Sequence, residues 1–203
     1  KGVKIYGLII DPGAAHGLIG NDTLLDFIRK TGVKPTFTST DRTFVGIDGD
    51  PTPGLSKTNF PLGLPGINAS FNADIIGGLG SQCPGLFPLD TMIKNRCGIL
   101  CGYFPNDDGL FIITVQGVWH GYRVHLTDSG HYILPCDNYD KPNKQQKEVT
   151  ALAQHAMQQI TSHFSYMLKD VDNKDDKVIL TNEAPECDQS RDVATTTVTS
   201  TTS

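Results

Sequence analysis

The sequence lacks any apolar run close to the roughly 20 residues that a membrane-spanning helix requires. It is also short of positive charge, since 17 Lys and Arg residues stand against 22 Asp and Glu and the formal net charge is −5. No Lys or Arg cluster alternates with aromatic residues, so the chain offers no surface that would displace counterions from a phosphate backbone. We therefore expect no membrane partner and no direct nucleic-acid partner.

Cysteine is sparse and scattered. The five residues, Cys83, Cys97, Cys101, Cys136 and Cys187, are odd in number, which favours reduced intracellular thiols over a disulfide framework. A zinc site at Cys97 and Cys101 is the alternative, but their spacing matches no usual ligand pair, and buried thiols are the better interpretation. We expect no metal, no cofactor and an intracellular, cytoplasmic location.

The chain also lacks an initiating Met and a signal peptide, because it begins Lys1-Gly2-Val3-Lys4. We expect it to be a segment of a longer polypeptide. Its 203 residues and apolar fraction of 38% predict one compact domain of about 130 residues with an appendage, rather than two domains.

What the chain does have is an apolar run that ends at a carboxylate. Leu8-Ile9-Ile10 leads into Asp11, and a glycine-containing loop then precedes a second apolar run, Leu18-Ile19. The first run predicts a buried strand that carries Asp11 to the interior. Burial raises the pKa of an Asp and N–H groups aimed at its carboxylate lower it, so such a site can prepare an Asp for acid–base chemistry. An ordinary Pro-Gly turn is an equally good interpretation of this stretch alone.

The next two segments predict a helix and a hairpin. Asn21 to Gly32 has a capping residue in front, an acid in the first turn, basic residues in the last turn and a terminal glycine, which is typical of a short amphipathic helix. Thr36–Thr40 and Arg42–Ile47 are β-prone arms beside a glycine-dense tip that extends to Gly54, and they predict a mobile hairpin. An ordinary exposed hairpin is the alternative.

The middle of the chain predicts further strands. Ala73 to Ile76, followed by Gly77, reads as a strand whose glycine permits a close backbone approach, with Asp74 as a surface or strand-entry residue. A helix is expected from Leu86 to Lys94. Three strands are expected at 97–105, 109–116 and 118–126, and a β-turn at 127–131.

The last third of the chain predicts one long element and a tail. Between Asn143 and Lys169 the apolar residues fall at helical spacing in a polar background, which indicates an amphipathic helix. This helix has three possible roles: docking on the domain, pairing with a second copy, or connecting to another module. Beyond Asp170 the polar, Thr/Ser-rich sequence cannot bury enough apolar surface to order itself and predicts a linker.

From about residue 3 to 135, this series of motifs resembles the retropepsin-like aspartic proteases of retroviral and retrotransposon polyproteins. The resemblance is carried by the Asp11 loop, the helix after it, the glycine-rich hairpin and the Ala73–Gly77 strand. It implies a mainly β, retropepsin-like closed sheet or barrel with short helices at 1–138. An amphipathic connecting helix at 139–170 and a disordered linker at 171–203 would follow.

The resemblance also implies a function, that of an aspartic endopeptidase of a retroelement polyprotein. With one Asp loop per chain, two copies of Asp11 would meet in a homodimer and activate water to hydrolyse a polypeptide, which includes its own polyprotein as a candidate. The implied site consists of Asp11 as the catalyst; Pro12, Gly13 and Ala14 in the active-site loop; Ala15, His16, Ile47, Asp48 and Gly49 against the substrate; and Gly77 as a structural residue near the site.

Pro12 departs from the family pattern. The family has Thr or Ser at this position, where its hydroxyl and N–H groups cross-link the two loops, and proline has neither group. A catalytically inactive retropepsin-like module that dimerises or binds peptides is therefore the alternative function. A β-rich polyprotein spacer without any site is a third interpretation.

Overall fold

The computed structural model describes residues 4–45 and 49–172 and shows a mainly β chain with a mixed sheet and short helices, which confirms the predicted fold class at this level. The helices are α1 (Asn21–Thr31), α2 (Leu89–Lys94) and α3 (Lys144–Asp172). The strands are β1 (Gly7–Asp11), β2 (Leu18–Gly20), β3 (Thr36–Thr38), β4 (Thr43–Val45), β5 (Pro51–Leu62), β6 (Ala69–Ile76), β7 (Gly85–Pro88), β8 (Gly98–Leu100), β9 (Gly109–Val115), β10 (Val118–Leu126) and β11 (Tyr132–Pro135).

All of these strands belong to one sheet, and β1 lies near its middle. The order is β3-β5-β6-β2-β7-β1-β11-β10-β9-β8, and β4 pairs with β5 beside this path. The β1–β7 and β2–β6 pairs are parallel, whereas β11 is antiparallel to β1. The strand that ends in Asp11 therefore has a hydrogen-bonded neighbour on each side.

A line of aromatic contacts runs through the core. Phe27 of α1 contacts Phe60, which contacts Phe71, and Phe87 and Phe111 continue the series, with ring centroids 5.3 to 6.0 Å apart. All five rings are at most 5% exposed. Because such pairs add to the free energy gained by burial, they hold α1, the central strands and β9 around one apolar interior.

Helix α1 confirms the sequence prediction in extent. Leu24 and Phe27 are buried, and Gly32 ends the helix with a φ of 71° while its N–H donates to the Ile28 carbonyl at 2.8 Å. A glycine suits this left-handed conformation because it has no Cβ to clash. The predicted side-chain cap is wrong, since the N-cap is Gly20 and makes no side-chain hydrogen bond.

The hairpin is present, and one strand was missed. Strands β4 and β5 pair from Thr43↔Pro53 to Val45↔Pro51, as the glycine-dense tip predicts. The expected helix at 86–94 is wrong in its first three residues, because residues 85–88 form β7 and α2 begins only at Leu89. Four residues are too few to display a strand periodicity, and Pro88 lies where the strand turns into the helix.

The strands after α2 follow the prediction with one shortening. Strands β9 and β10 occupy the expected segments, and β8 covers only three residues of the predicted 97–105 strand. The Thr127–His131 turn is confirmed, since the Thr127 N–H donates to the His131 carbonyl and the Gly130 N–H to the Thr127 carbonyl.

The first half of α3 packs on the sheet. Val149 and Ala153 are buried with Leu110 and Ile112 of β9 in a small second core. The Nε2 group of Gln146 donates to the Gly121 carbonyl at 2.7 Å. Docking on the domain is thus the role found for this part of the helix. The predicted linker at 171–203 lies almost wholly outside the described residues, and among the helices of the described part of the chain none is long and apolar enough to cross a membrane.

The buried carboxylate of Asp108 fixes a strained turn. Its two oxygens accept hydrogen bonds from the Nε of Arg123, the Nδ1 of His125 and the Leu126 N–H, at 2.8, 2.8 and 3.1 Å. The preceding residues Asn106 and Asp107 both have positive φ, which is uncommon outside glycine. Burial alone would raise the pKa of Asp108, but the hydrogen bonds outweigh it and hold the pKa below its usual value.

Asp108→Asn is expected to lower the free energy of unfolding at pH 7 by about 2 kcal/mol, because the amide lacks the charge and its NH2 group replaces one of the two accepting oxygens. Since the folded pKa of Asp108 is depressed, its contribution is complete above the ordinary Asp pKa of about 4 and is lost as the pH falls through the folded value. The difference from wild type in urea unfolding should therefore shrink with acidification. The control is Asp107→Asn, whose exposed side chain should matter little. A pH-independent difference would contradict the assignment.

A second prediction concerns Thr58, which is 2% exposed and whose hydroxyl has no hydrogen-bond partner among the described residues. Thr58→Val keeps the shape and removes the buried polar group, so it should raise the free energy of unfolding by about 1 kcal/mol in chemical denaturation. Thr58→Ala, which also removes a methyl group, should not stabilise the fold. A valine variant no more stable than wild type would mean that the hydroxyl is satisfied.

Candidate active site

The Asp11 loop is a tight turn held by its own backbone. Asp11 is the last residue of β1 and is partly buried, and its Oδ1 accepts a hydrogen bond from the Gly13 N–H at 2.9 Å. The Ala14 N–H donates to the Asp11 carbonyl at 3.1 Å. A Cβ on Gly13 would come within 3.2 Å of the same Oδ1, so the absence of a side chain there lets the N–H approach the carboxylate. The loop thereby fixes the direction of one carboxylate oxygen.

The sheet determines what lies beside this carboxylate. Strands β1 and β7 run parallel, with Ile10 opposite Phe87 and Asp11 opposite Pro88. Both strands therefore end at the same edge, where one continues into the loop and the other into α2. A parallel pair of this kind brings two chain reversals together at one end of the sheet.

The far end of the loop is pressed against β6. The Asp74 N–H donates to the Gly17 carbonyl at 2.8 Å, and a Cβ on Gly17 would lie 2.4 Å from the Asn72 carbonyl oxygen. No real Cβ tolerates such a contact with backbone. The loop is thus anchored at one end by β1 and at the other by the backbone of β6.

Asp74 corrects a sequence interpretation. It was expected at the surface or at a strand entry, but it is 3% exposed and its carboxylate contacts Thr40 Oγ1 at 2.8 Å and an Arg42 guanidinium nitrogen at 3.1 Å. These two residues precede β4, so the ion pair joins the base of the hairpin to β6. Sequence reasoning did not identify Thr40 and Arg42 as the partners of Asp74. The only signal for such partners was the presence of an Asp inside an otherwise apolar run.

The residues predicted for the site fall into three groups. Pro12, Gly13, Ala15 and His16 are exposed and Ala14 is partly exposed, all on the Asp11 loop. Gly49 is exposed near the hairpin tip with a φ of 82°, while the predicted substrate residues Ile47 and Asp48 lie outside the described residues.

One of the loop residues opens onto a groove. His16 lines a polar groove of about 830 Å³ bordered by β3, β5, β6 and α2, and Asp11 is not among the residues that line it. Asp11 is therefore joined to Gly13 and Ala14 by hydrogen bonds. His16 lies on the groove instead, at a surface that Asp11 does not line.

Gly77 was expected to let its strand pass close beside the active-site loop, but the space left by its missing side chain faces another residue. Gly77 has a φ of 68°, and a Cβ on it would meet the Cβ of Ser81 at 2.6 Å, within its own turn. β6 does approach the loop, and the glycine at that contact is Gly17. A second close approach is that of β7 to β1, where a Cβ on Gly85 would meet Leu8 Cδ2 at 2.6 Å. The sequence interpretation identified the strand that lies beside the loop but assigned the close contact to Gly77 instead of Gly17.

Within residues 4–45 and 49–172, no three His, Cys, Asp or Glu residues lie close enough together to hold a metal ion. Cys83, Cys97, Cys101 and Cys136 are free thiols. Burial raises the pKa of Cys97 to about 12 and also raises that of Cys136, so neither is a ready thiolate.

Comparison of the chain with protein-family models, with curated proteins and with solved structures finds no match.

Gly17→Ala should lower the free energy of unfolding by about 2 kcal/mol or more, because its Cβ would collide with the backbone of β6. The matched control is Gly78→Ala, a position with no atom within 4 Å of the new Cβ. Urea unfolding of the two variants provides the comparison. Equal stability of Gly17→Ala and wild type would show that the loop is not anchored on β6.

Proposed function

We propose that the protein is an aspartic endopeptidase of a polyprotein, with a retropepsin-like closed β-sheet or barrel, and that it acts as a homodimer in the cytoplasm. The observation that carries the proposal is the Asp11 loop: a carboxylate at the end of a central strand, oriented by the Gly13 N–H, in an otherwise exposed turn. An ordinary β-turn would not need anchors on two further strands, and this loop has them in β7 and β6.

The proposed chemistry requires two carboxylates. The Asp11 side chains of two copies lie face to face and share one proton, because two adjacent negative charges are costly. The ionised carboxylate accepts a proton from water, which attacks the carbonyl carbon of the scissile peptide bond. The protonated carboxylate donates to the carbonyl oxygen, and breakdown of the tetrahedral intermediate passes a proton to the leaving amine.

The proposed substrate is an extended polypeptide. The β4–β5 hairpin supports this, because an extended peptide can add to strands through main-chain hydrogen bonds. The Asp74–Arg42 ion pair fixes the base of the hairpin on β6. A hairpin with a fixed base is suited to closing over a substrate.

Pro12 favours a second candidate, an inactive module of the same fold that dimerises or binds peptides. Proline supplies neither an N–H nor a hydroxyl to hold the partner loop. Because proline lacks both the donor and the acceptor, fewer polar groups are left without a hydrogen-bond partner than if only one were lost. Pro12 therefore changes the contact between the loops without abolishing the Asp11 chemistry.

The test is cleavage of a diverse peptide mixture by the full chain between about pH 4 and 7, where a coupled carboxylate pair titrates. We expect cleavage with a bell-shaped pH profile, and a loss of about a thousandfold or more in Asp11→Asn.

The control is Asp22→Asn, another partly buried acid that follows the loop and accepts a hydrogen bond from Gly80. It should retain the cleavage pattern. A folded wild type that cuts nothing in this range would exclude the endopeptidase and favour the inactive module.

A further inference from the structure

Three apolar side chains are exposed on the Asp11 loop and on α2, the helix that follows the strand paired in parallel with β1. Pro12 is exposed, and Leu89 and Ile93 are 44% and 67% exposed. Asp11 pairs with Pro88 in the parallel β1–β7 ladder, so Pro12 and Leu89 are the residues that follow this pair on the two chains. Leu89 and Ile93 are four residues apart in α2 and thus lie on one face of it.

This apolar patch, defined as Pro12, Leu89 and Ile93, carries no unpaired charge. The charged residues of α2 are Asp90 and Lys94, and they form an ion pair with 3.0 Å between Nζ and Oδ2. Because the chain has a net charge of −5, two copies repel each other overall as they approach. The Asp90–Lys94 ion pair means that α2 adds no net charge to that repulsion.

The position of the patch identifies its occupant. The argument rests on the proposed function, in which the site is incomplete until a second copy supplies its own Asp11. A two-fold axis between two Asp11 carboxylates makes the contact isologous, so the residues next to Asp11 meet the same residues of the partner. Pro12 and Leu89 directly follow Asp11 and its paired residue, which puts them among the residues nearest to that axis.

We propose that Pro12, Leu89 and Ile93 are buried against the same three residues of a second copy of this chain. The loops are joined by apolar burial, which replaces the hydrogen bonds that Pro12 cannot make. Such a contact does not weaken when salt screens charges, because the hydrophobic effect does not depend on screening.

The experiment is sedimentation equilibrium of the full chain over a range of concentrations, at low and high salt. We expect a wild-type dimer and a dimer dissociation constant raised about tenfold or more in Ile93→Glu, since a charge would be buried in the contact. Leu89→Gln is the second variant, and it should weaken the dimer without adding charge. The matched control is Val118→Glu, which changes a residue of similar exposure, 48%, on β10 and should leave the dissociation constant unchanged.

Two results would overturn the proposal: a wild type that remains monomeric at about 100 μM, or equal dissociation constants for wild type and both patch variants. Peptide cleavage by the same samples separates this proposal from the proposed function. If Ile93→Glu weakens the dimer but the wild type cuts no peptide, the proposed interface is supported and the protease function is excluded. If cleavage depends on Asp11 but neither patch variant changes the dimer dissociation constant, the protease function is supported and the proposed interface is excluded.

Discussion

The parallel pairing of β1 with β7 is the constraint on which the rest of the structure depends. It places Asp11 at the end of a strand that has a neighbour on each side, and it brings the start of α2 to the same edge of the sheet. Without β7 the loop would be a turn at a sheet margin, with no α2 beside it. The apolar patch also exists only because this pairing places Leu89 after the partner of Asp11.

A second constraint is the buried carboxylate of Asp74. Removing it from water is costly unless it is paired, and Thr40 and Arg42 supply the partners. The backbone of the same residue contacts the end of the Asp11 loop through Gly17. One residue of β6 therefore joins the loop to the base of the hairpin, so the two parts proposed to hold a substrate share a rigid support.

The sequence was most informative where the pattern is local. The Asp11 loop, α1 with its terminal Gly32, and the Thr127–His131 turn all follow from residues adjacent in the chain, and the structure contains each of them. It was least informative where contacts are distant. β7 is too short to show a period, and the burial of Asp74 depends on partners more than thirty positions earlier. No single-chain pattern reveals which glycine contacts which strand, and for that reason the close approach was assigned to Gly77 and not to Gly17.

The central position of β1 also has a consequence for how the chain folds. Its neighbours come from far downstream, since Leu8 pairs with Gly85 on one side and with Leu134 on the other. Closing such long loops costs conformational entropy before the new contacts stabilise the chain, and proteins of high contact order fold slowly. During synthesis Asp11 leaves the ribosome before β7 and β11, so β1 lacks both of its neighbours until those strands have been made. A ribosome-bound fragment that ends before Leu134 therefore carries the Asp11 loop without the strand that supports one side of β1.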